Sequence, residues 1–294
     1  MGPRWALLRG ANATVGALTV PVGALMITTS PSPVEWVLIA LHAACVWTFM
    51  GAWNTFNDLM DIENDRINHP ERPLPAGDIT EVQAKALGRL MFVLSMFLLL
   101  GAMLVSSLYT DYLNRWIFSI GIWFLAFQLM FHYEMVVPAS FMLKHKGLAG
   151  NLAVSLLVGL VIVFGAAALG EWDSPLVWMV AASATLVNAA REIVKDVEDE
   201  EGDVDRETLS MVAGADTARA IAQVLVILSL VPLVLPFLLG YFPQGMLLTQ
   251  APAMFVLMMV KPRLYRGEDH EAQRSLRFAM LLGLGGFLAS VLLV

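Results

Sequence analysis

The chain has 294 residues, 58% of them hydrophobic and 15% charged, with a net charge of −7 and a mean hydropathy of +0.69. That composition excludes a soluble core as its main organisation and reads as a membrane protein. Its 18 basic residues, dispersed among 25 acids, do not suggest nucleic acid, and no such partner is predicted; its one cysteine, Cys45, excludes internal disulfides and cysteine metal cages.

An ionised group at the bilayer centre costs about 2.5 to 3.5 kcal/mol on insertion scales, so windows free of charge mark the spans. They run 10–34, 36–57, 90–110, 116–133, 147–170, 174–190, 220–260 and 278–294. A span needs about 20 apolar residues. The window 220–260 is long enough for two and contains LLGYFPQGML, where Gly240, Pro243 and Gln244 form a turn. The expectation is an all-α polytopic bundle of nine transmembrane helices in a single domain, 1–294. Met1 to Leu25 has the basic start of a signal peptide, but its window is long enough to span and lacks a clear cleavage site. It is therefore read as the first helix.

Nine spans put the termini on opposite sides. Of the 18 basic residues only Arg115 falls on the side away from the N-terminus, which predicts a cytoplasmic N-terminus and an outside C-terminus. Glu35, Asp111, Glu171 and Asp173 share the outer side. The outer connections are short, at about 30–35, 109–115, 170–174 and 240–245. The inner ones, 58–89, 132–147, 191–219 and 261–275, are longer and carry most of the charge, so a polar site is expected on the cytoplasmic side.

The second span contains His42 and Cys45 on one face, a weak metal signal for which a packed histidine is the default. It ends in NTFNDLMDIENDRINHPERPLPAG, residues 54–77, where seven charged side chains and four asparagines follow a charge-free run. The fourth span carries Trp123, Phe124, Phe127 and Phe131, an aromatic stripe explained by default as helix packing and lipid contact. The sixth ends in KDVEDEEGD. Both span ends fit Asp-x-x-Asp-x-x-x-Asp, with Asp58, Asp61 and Asp65 in the first and Asp196, Asp199 and Asp203 in the second.

On one helix, positions i, i+3 and i+7 share a face, so each motif would carry a stripe of carboxylates that repel one another. A cation between them relieves the repulsion. Hard oxygen ligands select a hard ion such as Mg²⁺, which takes one or two carboxylates together with phosphate oxygens. Solvated helix ends are the bland alternative, and Asp65 or Asp203 alone could be a cap. Two copies with the same spacing, each beside basic residues, favour a diphosphate held between metal ions. Arg66, Arg72, Lys144, Lys146, Arg191 and Lys195 are the cations available to it, unless some only orient the helices.

These stretches resemble a known family. NDLMDIENDRINHPERPLPAG is similar to the first signature of the UbiA superfamily of intramembrane prenyltransferases. REIVKDVEDEEGD, 191–203, resembles the second signature in the form found in archaeal members that make ether lipid. LRGANATVGALTVPVGAL, 8–25, resembles the first helix, with Arg9 and Asn12 at its polar positions. FMLKHKGLAGNLAVSLLVG, 141–159, resembles the segment with a phosphate-contacting lysine, here Lys144, and a Gly-Asn pair, here Gly150 and Asn151. One departure is visible: Thr208, Leu209 and Ser210 stand where many members have Thr-Leu-Pro.

The resemblance implies Mg²⁺-dependent transfer of an isoprenyl group from its diphosphate. Asn57, Asp58, Asp61 and Asp65 would bind metal from one side, and Asp196, Asp199 and Asp203 from the other. Arg9, Asn12, Arg66, Arg72, Lys144, Lys146, Asn151, Arg191 and Lys195 would hold the diphosphate. Asp61, Asp65, Asp199, Asp203 and Lys144 are the expected catalytic residues. The archaeal form implies geranylgeranyl diphosphate as donor and geranylgeranylglyceryl phosphate as acceptor. An aromatic acceptor, such as 4-hydroxybenzoate or a quinone or chlorophyll-type precursor, is the alternative. An ion- or proton-coupled transporter is the rival from another class, although its acids belong at midplane helix breaks and these lie at the membrane edge. The resemblance also implies a multi-pass protein of the cell membrane with its active site towards the cytoplasm.

Overall fold

The computed structural model describes residues 2–200 and 207–293, which are helical with no strand among them. Two compact units divide the chain. The first comprises Met1–Val136 and Phe164–Trp172, the second Val137–Val163 and Asp173–Val294.

The first unit holds α1 (Pro3–Leu7), α2 (Gly10–Leu25), α3 (Pro33–Met60), α4 (Ile62–Asn68), α5 (Glu81–Tyr109) and α6 (Leu113–Glu134). Local chemistry sets two of the starts. Ser32 and Glu35 form a capping box ahead of α3, with Pro33 at the first helical position, and Thr80 with Gln83 does the same for α5. Both helices then run for seven or more turns along apolar sequence. Helix α3 packs on α5 and α2. The approach to α5 is close at Gly88, where a Cβ would lie 2.8 Å from the Phe56 ring. His42 is wholly buried in this layer, its Nδ1 2.8 Å from the Leu38 carbonyl and its Nε2 3.1 Å from Ser119 Oγ. Cys45 donates to the Ser95 carbonyl. The two residues are packed and hydrogen-bonded as the default held. The aromatic stripe of α6 packs likewise, Trp123 and Phe127 meeting Phe49, Trp53 and Phe92 of α3 and α5.

The second unit begins with a 3₁₀ turn at Leu143–His145 and continues with α7 (Leu148–Ala167, residues up to 163 lying in this unit), α8 (Pro175–Glu198), α9 (Leu209–Ala213) and α10 (Ala215–Leu238). A 3₁₀ turn at Gln244–Gln250 leads into α11 (Ala251–Tyr265), and α12 (Asp269–Leu292) ends the chain. Helix α8 packs against α10 and α12. Polar ties fix the ends of these helices: Arg219 donates a fork to Asp269 at 2.9 and 2.6 Å, and His270 and Gln273 meet Glu198 at 2.7 Å each.

Eight of the described helices are long and apolar enough to cross a membrane, counting Gln244–Tyr265 as one. The helix in the first window is shorter than that window: α2 has 16 residues, or about 24 Å. The expected break at 240–245 is present, with Gly240 at φ +80° and Pro243 leading the 3₁₀ turn. The inner connections are more helical than charge counting implies. Only residues 266–268 join α11 to α12 within the expected loop 261–275, and 58–89 includes α4 and the start of α5. A charged residue ends a lipid-facing window, but backbone hydrogen bonding carries the helix on into water.

Candidate active site

At the first motif α3 stops at Met60, and Asp61 sits at the junction with α4 with φ −91° and ψ 6°. The carboxylates of Asp58, Asp61 and Asp65 therefore lie on two helices meeting at Asp61, where one continuous stripe was expected. Helical spacing survives the junction, because the Asp61 amide still donates to the Asn57 carbonyl and the Asp65 amide to that of Asp61. Asp58 and Asp65 are buried, at 3% and 5% exposure, which would be costly for carboxylates without partners. Both have arginines.

Arg9 serves Asp58. Its Nη2 donates to Asp58 Oδ1 at 2.6 Å and to Asn57 Oδ1 at 3.0 Å. The backbone turns sharply to allow this: Arg9 takes a left-handed conformation, φ 46° and ψ 50°, between α1 and α2, which for a non-glycine residue stores about 1 kcal/mol or more. Packing holds the turn, since Leu7 is fully buried and Asn54 Nδ2 donates to the Leu8 carbonyl at 3.0 Å.

Arg72 serves Asp65, its Nη1 lying 2.7 Å from both carboxylate oxygens. The segment Arg72–Gly77 folds back to make this contact. Amides of Arg72, Ala76 and Gly77 donate to the carbonyls of His69, Arg72 and Leu74, and Gly77 closes the turn at φ +79°. Leu74 and Ile79 are buried with Leu7 and Ala84, and Leu59 and Ile62 pack against them. The apolar residues of the Arg-Pro-Leu-Pro-x-Gly signature are thus the anchor, and its arginine is what they position.

Asn57 joins the cluster together. While its Oδ1 accepts from Arg9, its Nδ2 donates to Asp61 Oδ2 at 3.1 Å and to both oxygens of Glu134 at 3.1 Å. Glu134 ends α6, is 2% exposed, and was not among the residues picked out by spacing. A single carboxylate closing an aromatic run has no motif around it.

In the second unit, α8 ends at Glu198 and Asp199 caps it, exposed. Asp196 is buried and accepts from Asn151 Nδ2 of α7 at 2.8 Å. Asn151 belongs to a buried chain: its carbonyl accepts from Ser155 Oγ at 2.6 Å, and Asn188 Nδ2 donates to that hydroxyl at 3.2 Å. Thr208 caps α9 and bonds the Ser210 hydroxyl at 3.0 Å, and Ser210 Oγ lies 3.4 Å from the Asp196 carbonyl. Asp203 lies outside the described residues.

The remaining expected residues are placed as follows. Arg66 pairs with Glu63 at 2.6 Å in an exposed i, i+3 bridge. Asn12 is exposed on α2. Arg191 pairs with Glu192, whose other oxygen is 4.0 Å from Lys195 Nζ. Arg191 Nε is buried with no hydrogen-bond partner among the described residues. Lys144 is half-buried in the 3₁₀ turn and Lys146 exposed after it.

Among the described residues no three His, Cys, Asp or Glu side chains converge into a closed cage. The donor set nonetheless fits Mg²⁺. It consists of carboxylate and amide oxygens, and this ion keeps most of its waters, needing one or two carboxylates at a time.

The fold and the acidic, cation-paired helix ends define a multi-pass membrane protein with polar chemistry at the ends of its spans. The model of the UbiA prenyltransferase family matches residues 18–288, and the chain belongs to that family. It is 35% identical over 290 residues to the digeranylgeranylglyceryl phosphate synthase of Methanopyrus kandleri, covering 97% of this chain and 98% of that one. Its fold is similar to the solved structure of a digeranylgeranylglyceryl phosphate synthase, with TM-score 0.73 and 22% identity over 99% of this chain and 98% of the other. It is also similar to a UbiA homologue from Archaeoglobus fulgidus bound to GPP and Mg²⁺, with TM-score 0.67 and 17% identity over the whole of both chains.

Proposed function

We propose that this protein transfers a geranylgeranyl group from its diphosphate to geranylgeranylglyceryl phosphate, forming the second ether bond of an archaeal membrane lipid. The observation that carries this proposal is the Arg9–Asn57–Asp58 and Arg72–Asp65 network, an oxygen-rich, cation-balanced helix end suited to a charged head on an apolar tail. The acceptor rests on the 35% likeness to the Methanopyrus kandleri synthase.

In this proposal Asn57, Asp58, Asp61 and Asp65 are Mg²⁺ ligands of the first motif, and Asp196, Asp199 and Asp203 those of the second. When bound, the ion neutralises charge that builds up on the departing diphosphate. Arg9, Arg72, Lys144, Lys146, Arg191 and Lys195 donate to the diphosphate oxygens, with the amides of Asn12 and Asn151 and the outer cation Arg66. The C1–O bond of the prenyl diphosphate breaks, the acceptor hydroxyl oxygen bonds to C1, and its proton is released with the diphosphate. The apolar helices hold the tail and exclude water, which would otherwise capture the allylic carbon.

The same proposal takes the two units as one catalytic domain, since the family match runs through both. It counts α2 as a ninth span, because 16 residues with flanking apolar sequence reach across a locally thinned bilayer. The 17 to 1 division of basic residues then gives a cytoplasmic N-terminus, an outside C-terminus and a site facing the cytoplasm of the cell membrane.

The test is transfer by the purified protein in lipid with labelled geranylgeranyl diphosphate, offering geranylgeranylglyceryl phosphate or 4-hydroxybenzoate, with and without Mg²⁺. Metal-dependent digeranylgeranyl product supports the assignment. Prenylated 4-hydroxybenzoate as the sole product would move the protein to aromatic acceptors.

A further inference from the structure

Glu134 lies 77 residues from Asn57 in sequence, yet its buried carboxylate receives the Asn57 amide on both oxygens. We propose that Glu134 is a positioning residue for the first motif, holding the Asn57 amide so that its oxygen stays towards Arg9 and Asp58. The inference rests on the metal-and-diphosphate function proposed above.

The geometry defines what Glu134 does. A carboxamide has one accepting end and one donating end, and a flip exchanges them. At Asn57 the accepting end meets Arg9 Nη2 at 3.0 Å, and the donating end faces two carboxylates, Asp61 at 3.1 Å and Glu134 at 3.1 Å. A flipped amide would turn N–H groups on the arginine and its oxygen on two anions, so the observed orientation is strongly preferred. The two carboxylates differ in what else they do. Asp61 is a candidate ligand, and its carboxylate would be shared between Nδ2 and a cation when one is bound. Glu134 is anchored at the end of α6, 2% exposed, and keeps its hold. It is then the group that keeps Asn57 Oδ1 turned towards Arg9, the arginine that also holds Asp58.

The alternative is that Glu134 only ties α6 to α3, in which case its loss lowers stability and leaves metal affinity unchanged. Two substitutions separate these. Glu134→Gln keeps shape and one accepting oxygen, while Glu134→Ala removes the acceptor. The primary readout is binding of labelled geranylgeranyl diphosphate to the full chain in lipid nanodiscs as a function of Mg²⁺ concentration, which requires no acceptor. Thermal unfolding of each variant is followed alongside.

Glu134→Ala is expected to raise the Mg²⁺ concentration for half-maximal binding about tenfold, equivalent to about 1.4 kcal/mol and close to the lower end of the range for one hydrogen bond to a charged group. Glu134→Gln should stay within about threefold of the parent. In an Asn57→Ala background the Glu134→Ala shift should vanish, because the residue acts through that amide. A Glu134→Ala protein with unchanged Mg²⁺ dependence would overturn the inference, and so would a shift that persists without the Asn57 amide. Equal losses in Glu134→Gln and Glu134→Ala would also overturn it, by making charge the cause. A parent protein that binds no geranylgeranyl diphosphate at any Mg²⁺ concentration would instead overturn the proposed function along with it.

Discussion

The two aspartate motifs have the same spacing and different company. At the first, buried Asp58 and Asp65 each receive an arginine from a neighbouring turn, Arg9 at 2.6 Å and Arg72 at 2.7 Å. At the second, buried Asp196 receives the neutral amide of Asn151 at 2.8 Å, while Arg191 turns to Glu192. Arginines thus meet two of the acids at the first motif, and at the second the Asn151 amide is among the groups that meet Asp196. The difference teaches that a repeated motif need not be a repeated site. The first half is built to be pre-organised, with cations fixed beside its acids. The second is built around a hydrogen-bonded polar chain from Asn188 through Ser155 and Asn151 to Asp196.

The largest expected effect is one on which the motifs should agree. Asp61→Ala and Asp199→Ala should each lower kcat for prenyl transfer by about 10²- to 10³-fold, the loss of a few kcal/mol of transition-state charge stabilisation. Steady-state rates at saturating Mg²⁺ check this, and an effect at one motif alone would make the second a solvated helix end.

The next effect separates them. Arg72→Ala leaves Asp65 buried without the Nη1 contact to its two oxygens and should cost about 1 to 3 kcal/mol of stability. Thermal unfolding in detergent should show this as a lower Tm, recovered only in part by Arg72→Lys, whose compact ammonium is more strongly hydrated than a guanidinium and is less readily held beside a buried carboxylate.

Asn151→Ala should cost about 1 to 2 kcal/mol in the same assay and lower the apparent affinity for Mg²⁺ and diphosphate about tenfold, since Asp196 then loses an oriented donor. Asn151→Asp, which sets a second carboxylate against Asp196, should be worse than the alanine variant. If the alanine variant were the weaker of the two, the neutral-amide account of the second motif would fail.

The smallest effect is expected at Ser210→Pro, the replacement that restores the family's usual residue. Ser210 is the second residue of α9, where an amide has no intrahelical partner, and its hydroxyl lies 3.4 Å from the Asp196 carbonyl. The change should alter stability by less than about 1 kcal/mol and transfer by less than about threefold. A large loss would show that the hydroxyl supports the second motif.

How much of this was legible from residues alone follows from what charge and spacing report. Charge-free windows located the apolar spans, and the turn at Gly240 and Pro243 was visible because glycine and proline act locally. Helix ends were misplaced wherever a helix continues into polar sequence, as α11 does through Lys261 to Tyr265. The aspartate motifs were legible because their chemistry repeats along the chain. The partners were legible only as candidates: spacing treats Arg66 and Arg72 alike, and the fold-back of Leu74 and Ile79 is what sends one to Asp65 while the other meets Glu63. Glu134 was not legible, because its meaning lies in a contact across 77 residues that no local pattern encodes.

The central claim is that both motifs act on one diphosphate. The most direct test measures Mg²⁺-dependent binding of labelled geranylgeranyl diphosphate to the parent protein, Asp61→Ala, Asp199→Ala and the double variant. Each single change should weaken binding at least about tenfold, and the double variant should fall short of the product of the two losses, as coupled sites do. Full-strength binding after either single change, or two losses that simply multiply, would contradict it.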